Sequence, residues 1–152
     1  MPLTGRTLEL ADIEALALGA WILGTGGGGD PYHKLLNMRE LYKNGHTVEL
    51  VDPMSLNDNA LVAVLSNMGA PLVGQERLAD PAFAIKPVRM MERYLGRAFD
   101  AVMALEIGGG NGVHPMLVAA LSGYPVIDAD TMGRAYPEAQ MTSVAVSNLQ
   151  CF

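Results

Sequence analysis

Apolar residues recur at helical spacing at Ile13, Leu16, Ala17, Ala20 and Trp21, and the spacing predicts a helix over residues 12–23 with Asp12 as its cap. That helix runs into Gly24-Thr25-Gly26-Gly27-Gly28-Gly29. Asp30-Pro31 then reads as an N-cap followed by proline at the first helical position, and Tyr32, Leu35, Leu36, Met38 and Leu41 give the next helix its apolar face before Gly45 stops it. The period changes at residues 47–51, which read as a strand, and residues 61–65 form a short apolar run of the kind buried in a parallel sheet. Helical spacing returns over 85–95 through Val88, Met91 and Leu95, with Gly96 as its stop. Residues 101–105 read as another buried strand. Asn111 is placed to cap a helix running to Leu121 and ended by Gly123, residues 125–127 begin the next strand, and 143–146 read as one more. Helices alternating with short apolar strands predict an α/β fold, a three-layer α/β/α sandwich with a mostly parallel sheet in which 61–65, 101–105 and 125–127 are neighbours.

Composition narrows what such a domain does. The 152 residues make one domain, residues 1–152, without internal repeat or low-complexity linker. Only 17% of them are charged and half are hydrophobic, so the chain is short of the charge a fully solvated surface carries. A net charge of −6 with no basic cluster argues against nucleic acid and against anionic membranes as partners. Cys151 is the only cysteine, which excludes a disulfide framework within one chain and fits a reducing cytoplasm. The apolar segment around 15–24 is too short to span a bilayer, and Arg6 followed by Glu9, Asp12 and Glu14 is the wrong charge order for a secretory signal. Met38, Met68, Met90, Met91, Met103 and Met141 are explained as core filling.

Polar residues and glycines follow each predicted buried strand: Ser66-Asn67-Met68-Gly69, Glu106-Ile107-Gly108-Gly109-Gly110-Asn111 and Asp128-Ala129-Asp130. In open α/β sheets that carboxyl edge is where ligands bind. Glu106, Asp128 and Asp130 can act there as hard oxygen ligands or as a general acid/base pair, with His114 one turn into the following helix; the competing reading is that these carboxylates cap helices and loop amides. Gly24 to Gly29 satisfies the letter of a dinucleotide fingerprint, yet it follows a helical pattern rather than a strand, so a loop whose amides face a carbonyl or anionic ligand is the better reading. Arg134 offers a fork to a carboxylate or imide-like group, or an internal ion pair to Glu138. Cys151 has no local base to make it a nucleophile.

Gly24-Thr25-Gly26-Gly27-Gly28-Gly29-Asp30-Pro31, Met68-Gly69-Ala70-Pro71, Glu106-Ile107-Gly108-Gly109-Gly110-Asn111 and Asp128-Ala129-Asp130-Thr131-Met132-Gly133-Arg134-Ala135-Tyr136-Pro137-Glu138 resemble, in order, the signatures of the S-methyl thiohydantoin desulfurase-like family. The sequence departs from that pattern at Gly112, where the family has a small hydroxyl residue. The resemblance implies an α/β/α N-terminal domain that a β-rich C-terminal domain or partner chain completes, and hydrolysis at a hydantoin- or thiohydantoin-like ring: water attacks the ring carbon bearing sulfur and the sulfur leaves. For that reaction, residue chemistry rather than the resemblance makes Asp128, Asp130, Glu106 and Arg134 the candidate catalytic residues, and Gly26, Gly27, Gly28, Gly29 and Asn111 the candidate ring-binding ones. Asp128, Asp130 and His114 are the candidate ligands of a divalent metal, zinc or manganese, and no nucleotide is expected. The alternative is a non-catalytic binding or assembly subunit of the same fold; a nucleotide-binding domain is the third reading. A strand at 143–146 followed by an open connection, together with the low charge, predicts the N-terminal part of a larger enzyme, a homo-oligomer that is inactive as this chain alone and exposes apolar surface.

Overall fold

The computed structural model describes residues 3–69, 76 and 80–149. Five strands, β1 (Gly5–Leu8), β2 (Val48–Val51), β3 (Val62–Leu65), β4 (Ala101–Ala104) and β5 (Val126–Ile127), form one sheet in the order β1-β2-β5-β4-β3. β1 pairs antiparallel with β2 at the edge, with Gly5 opposite Val51 and Leu8 opposite Val48, and the remaining pairs are parallel. The fold is therefore α/β with a mostly parallel sheet, and the three apolar runs at 61–65, 101–105 and 125–127 are adjacent parallel strands as their composition predicts. β1 was not foreseen. Four residues with one buried side chain carry no period of their own, and pairing with β2 is what makes them a strand.

Among the described residues the helices are α1 (Leu10–Gly24), α2 (Tyr32–Lys43), α3 (Lys86–Leu95), α4 (Gly110–Ser122) and the single turn α5 (Ser143–Val146). Period-two alternation sorts the sheet residues onto two faces. One face carries Val48, Ala63, Val102 and Val126 and meets Ile13 and Ala17 of α1, Met38 of α2, Val88 of α3 and the apolar residues of α4 in a single core. The other face carries Val51, Ala101 and Ile127, with Leu56, Val62 and Met103 beside them. The four longer helices thus share the first face, and α4 lies so deep in it that residues 110–120 are all buried.

Three local expectations are corrected. Glu9, not Asp12, is the N-cap of α1; Asp12 sits three residues on, and its Oδ2 accepts from the Glu9 amide at 2.8 Å and from Arg6 at 2.9 Å. Asn111 does not cap α4, because Gly109 holds the cap position and the Asn111 side chain turns to the neighbouring strand end. Residues 143–146 are helical rather than extended, since the Thr142 hydroxyl accepts from the Ala145 amide at 3.3 Å and caps the turn, a local bond that outweighs the β-branched composition. Ala70, Pro71 and Cys151 lie outside the described residues.

Met38 is fully buried between α2 and the sheet, whereas Met54 is 89% exposed. Met38→Ala is expected to cost about 2–5 kcal/mol in urea unfolding, and Met54→Ala to stay within about 0.5 kcal/mol of wild type. Equal midpoints for the two variants contradict this core.

Candidate functional site

The glycine run between α1 and α2 packs directly against the glycine run before α4. The amides of Gly110 and Asn111 donate to the carbonyls of Gly29 (2.7 Å) and Gly28 (3.2 Å), and the Gly109 amide donates to Ala20 at 2.6 Å. The first turn of α4 is therefore capped by backbone from a distant loop, which satisfies the donors a helix start leaves open. Contact this close tolerates no side chain: a Cβ on Gly28 would stand 2.2 Å from the Gly108 carbonyl oxygen, and one on Gly109 2.4 Å from that of Gly27. Both residues also have positive φ. Gly24 to Gly29 follows helix α1 rather than a strand, and at the start of α2, the helix whose amides a dinucleotide fingerprint presents, the Asp30 carboxylate already accepts from the Tyr32 amide at 2.8 Å. Gly26 and Gly29, by contrast, face open space.

This interlock brings Glu106 and Asn111 together at the carboxyl end of β4. Glu106 is 6% exposed; its Oε1 accepts from Asn111 Nδ2 at 2.7 Å and its Oε2 from the Tyr136 amide at 3.1 Å. Asn111, 3% exposed, also clasps the Asn67 backbone at the end of β3, accepting from its amide at 2.9 Å and donating to its carbonyl at 3.3 Å. Each Glu106 oxygen keeps acceptor capacity beyond the bond it makes. The ends of β3 and β4 and the loop at Tyr136 are thereby tied to one carboxylate.

Asp130 holds the loop that closes over this cluster. Its Oδ2 accepts from the Ile107 and Gly133 amides, both at 2.8 Å, and its Oδ1 from Gly133 (2.8 Å) and Met132 (3.2 Å). Thr131, buried and not singled out by the sequence, adds a hydroxyl bond to the Leu105 carbonyl at 2.6 Å. Asp128 is exposed, and its backbone amide bonds to Val51. Arg134 does not pair with Glu138 among the described residues: its Nε donates to the Ala135 carbonyl at 3.0 Å, and Glu138 accepts from Gln140.

Asp128, Asp130 and His114 do not fit as a metal site. Asp130's oxygens are committed to backbone amides, the only charge His114 feels appreciably is the cationic Lys34, and no three His, Cys, Asp or Glu side chains converge among the described residues. His114 is 8% exposed, its Nδ1 has no hydrogen-bond partner, and burial, reinforced by Lys34, pulls its pKa down to about 4. Lys34 was missed. Its signal in the sequence is a basic residue in the first turn of a helix, where the dipole disfavours a cation. Asn67 and Tyr136 enter through backbone atoms, which side-chain chemistry does not reveal.

The family model described as S-Me-THD-like, N-terminal domain matches residues 11–152. A crystal structure of a protein from Chromobacterium violaceum is similar to the chain with a TM-score of 0.73 and 30% identity, covering 94% of this chain and 40% of that one. The chain thus spans two fifths of that protein's length. No curated protein matches the sequence.

Two outcomes check this geometry. Gly28→Ala and Gly109→Ala are each expected to lower the melting temperature sharply or prevent folding, while Gly26→Ala, with strain at positive φ but no clash, costs about 1 kcal/mol. The second concerns acid. A histidine whose folded pKa lies below its unfolded value of 6.5 favours the native state fully above pH 6.5 and less as pH falls toward 4, a loss of about 3 kcal/mol. His114→Gln should flatten that part of the urea stability profile, and an unchanged slope would show that His114 titrates normally.

Proposed function

The chain belongs to the S-Me-THD-like family through that N-terminal domain, and from this membership we propose that it is the ring-binding domain of a hydrolase that removes sulfur from a hydantoin- or thiohydantoin-like ring. The observation that carries the reading is the buried Glu106 carboxylate, held by Asn111 and the Tyr136 amide at the carboxyl end of β4. Glu106 takes a proton from water, the water oxygen bonds to the ring carbon bearing sulfur, and the carbon–sulfur bond breaks. The proton held by Glu106 passes to the departing sulfur, which leaves as a thiol, the second water proton moves from the new hydroxyl to the ring nitrogen, and a ring carbonyl remains. Asn111 fixes the carboxylate, acting as a positioning residue. The amides of Gly26, Gly28 and Gly29 and the guanidinium of Arg134 receive the ring oxygens and the charge that develops on them. Asp128 stands at the open rim of the same edge, and Asp130 shapes the loop that bears Arg134.

In this proposal a C-terminal domain or partner chain completes the cleft, the assembly is a homo-oligomer, and the cytoplasm is its compartment. No helix among the described residues is long and apolar enough to cross a membrane. The reading as a non-catalytic assembly subunit draws its support from α1, whose outer face exposes Leu18, Trp21 and Ile22.

An S-methyl thiohydantoin is the test ligand. The chain is expected to bind it in calorimetric titration, to bind a dye for exposed apolar surface, and to turn the ring over slowly or not at all by itself. In the assembly that releases thiol, Glu106→Gln should lower kcat by about 10²–10⁴-fold with KM little changed. Thiol release at the wild-type rate by Glu106→Gln would refute the general base, and absence of ring binding by both chain and assembly would refute the function.

A further inference from the structure

The proposed ring reaction leaves a cation and an imidazole unused beside the glycine interlock. Lys34 is the third residue of α2, and its Nζ lies against Gly110, the first residue of α4, 2.9 Å from where a Cβ on Gly110 would stand. The ammonium therefore sits at the positive ends of two helix dipoles, the least favourable place for a cation. No carboxylate pairs with it among the described residues, and burial alone pulls its pKa down to about 8. His114 follows Gly110 by four residues and so shares its face of α4. His114 is more than nine-tenths buried and its Nδ1 lacks a partner, and the Lys34 charge adds to burial in holding its pKa down. An unpaired ammonium and an unsatisfied ring nitrogen in one partly dry spot each cost stability, and the same group would relieve both.

We infer that Lys34 and His114 form a subsite for a carboxylate. The ammonium gives one carboxylate oxygen a charge-assisted hydrogen bond, the neutral imidazole gives the other its N–H, and the amino-terminal ends of α2 and α4 add their fields in the same sense. One positive charge beside one neutral donor suits a monoanion better than a phosphate dianion. Gly110 keeps the space the ammonium occupies. The inference goes beyond ring hydrolysis, because the pair would hold a carboxylate borne on a ring substituent or one on a free organic acid, and it stands whether or not the chain acts on any ring.

Sodium acetate is the first probe, titrated against sodium chloride at matched ionic strength while the His114 ring signals are followed by NMR. Acetate is expected to shift them saturably with Kd on the order of 10 mM, and chloride is not. Lys34→Met should abolish the saturable shift and, having lost a cation from two positive helix ends, should melt at or above the wild-type temperature at pH 7 without acetate. Lys34→Gln serves as a second uncharged variant with the same expectation. A hydantoin bearing an acetic acid substituent is then compared with acetate and with unsubstituted hydantoin. Tighter binding than acetate, lost by about tenfold or more in Lys34→Met, places the carboxylate on the ring; binding no tighter than acetate assigns it to a free acid. No saturable response to acetate, or one kept in both Lys34 variants, overturns the subsite and leaves the role of Glu106 untouched.

Discussion

The contact on which the rest of the structure depends is between two stretches of bare backbone. Gly28 and Gly29 lend their carbonyls to the amides of Asn111 and Gly110, and Gly109 closes onto Ala20, so the loop joining α1 and α2 serves as the cap of α4. The hydrogen bonds would be ordinary were the two strings not glycine on both sides. Without side chains the backbones approach to distances at which a Cβ on Gly28 or Gly109 would collide with a carbonyl oxygen. Glycine loses more freedom on folding than any other residue, so runs of it are costly, and the return is a buried helix start whose donors are all paired.

That pairing is what lets α4 lie in the middle of the core. With residues 110–120 out of water, every polar group it carries must find a partner inside the protein. Asn111 does so by clasping the Asn67 backbone and Glu106 together. Glu106 in turn receives the Tyr136 amide, which fastens the 130–136 loop over the same edge of the sheet, and Asp130 and Thr131 anchor that loop to Leu105 and Ile107. The ends of β3, β4 and β5 are thus joined through one side-chain network, in which the loss of any member leaves a buried group unpaired. Lys34 and His114 are the exceptions to this economy, and their unmatched state sets them apart from the structural polar residues around them.

The carboxylates at the strand ends divided in a way their identities do not disclose. Glu106 and Asp130 follow strands, and both are acidic residues within three positions of a glycine. One is buried with acceptor capacity to spare; the other spends both oxygens on loop amides. What separates them is the direction of the chain after β5, where Asp130 turns back over Ile107 and organises its own loop. Asp128, two residues earlier, stays exposed, so spacing along an extended segment did not make the two a pair.

From the order of its residues alone the chain determined its α/β class, the parallel neighbours 61–65, 101–105 and 125–127, most helix ends and the edge of the sheet where its polar residues collect. These follow from period, from glycine and proline at element ends, and from the burial that a parallel sheet imposes, all of them local quantities. Tertiary structure alone decided the edge strand β1, which exists by pairing with β2, and the helical turn at 143–146. It also decided the meeting of two glycine runs some eighty residues apart and the isolation of Lys34 beside His114. A hydrogen bond between backbones, or a charge left without its counter-ion, depends on which distant segments touch, and no period in the sequence records that.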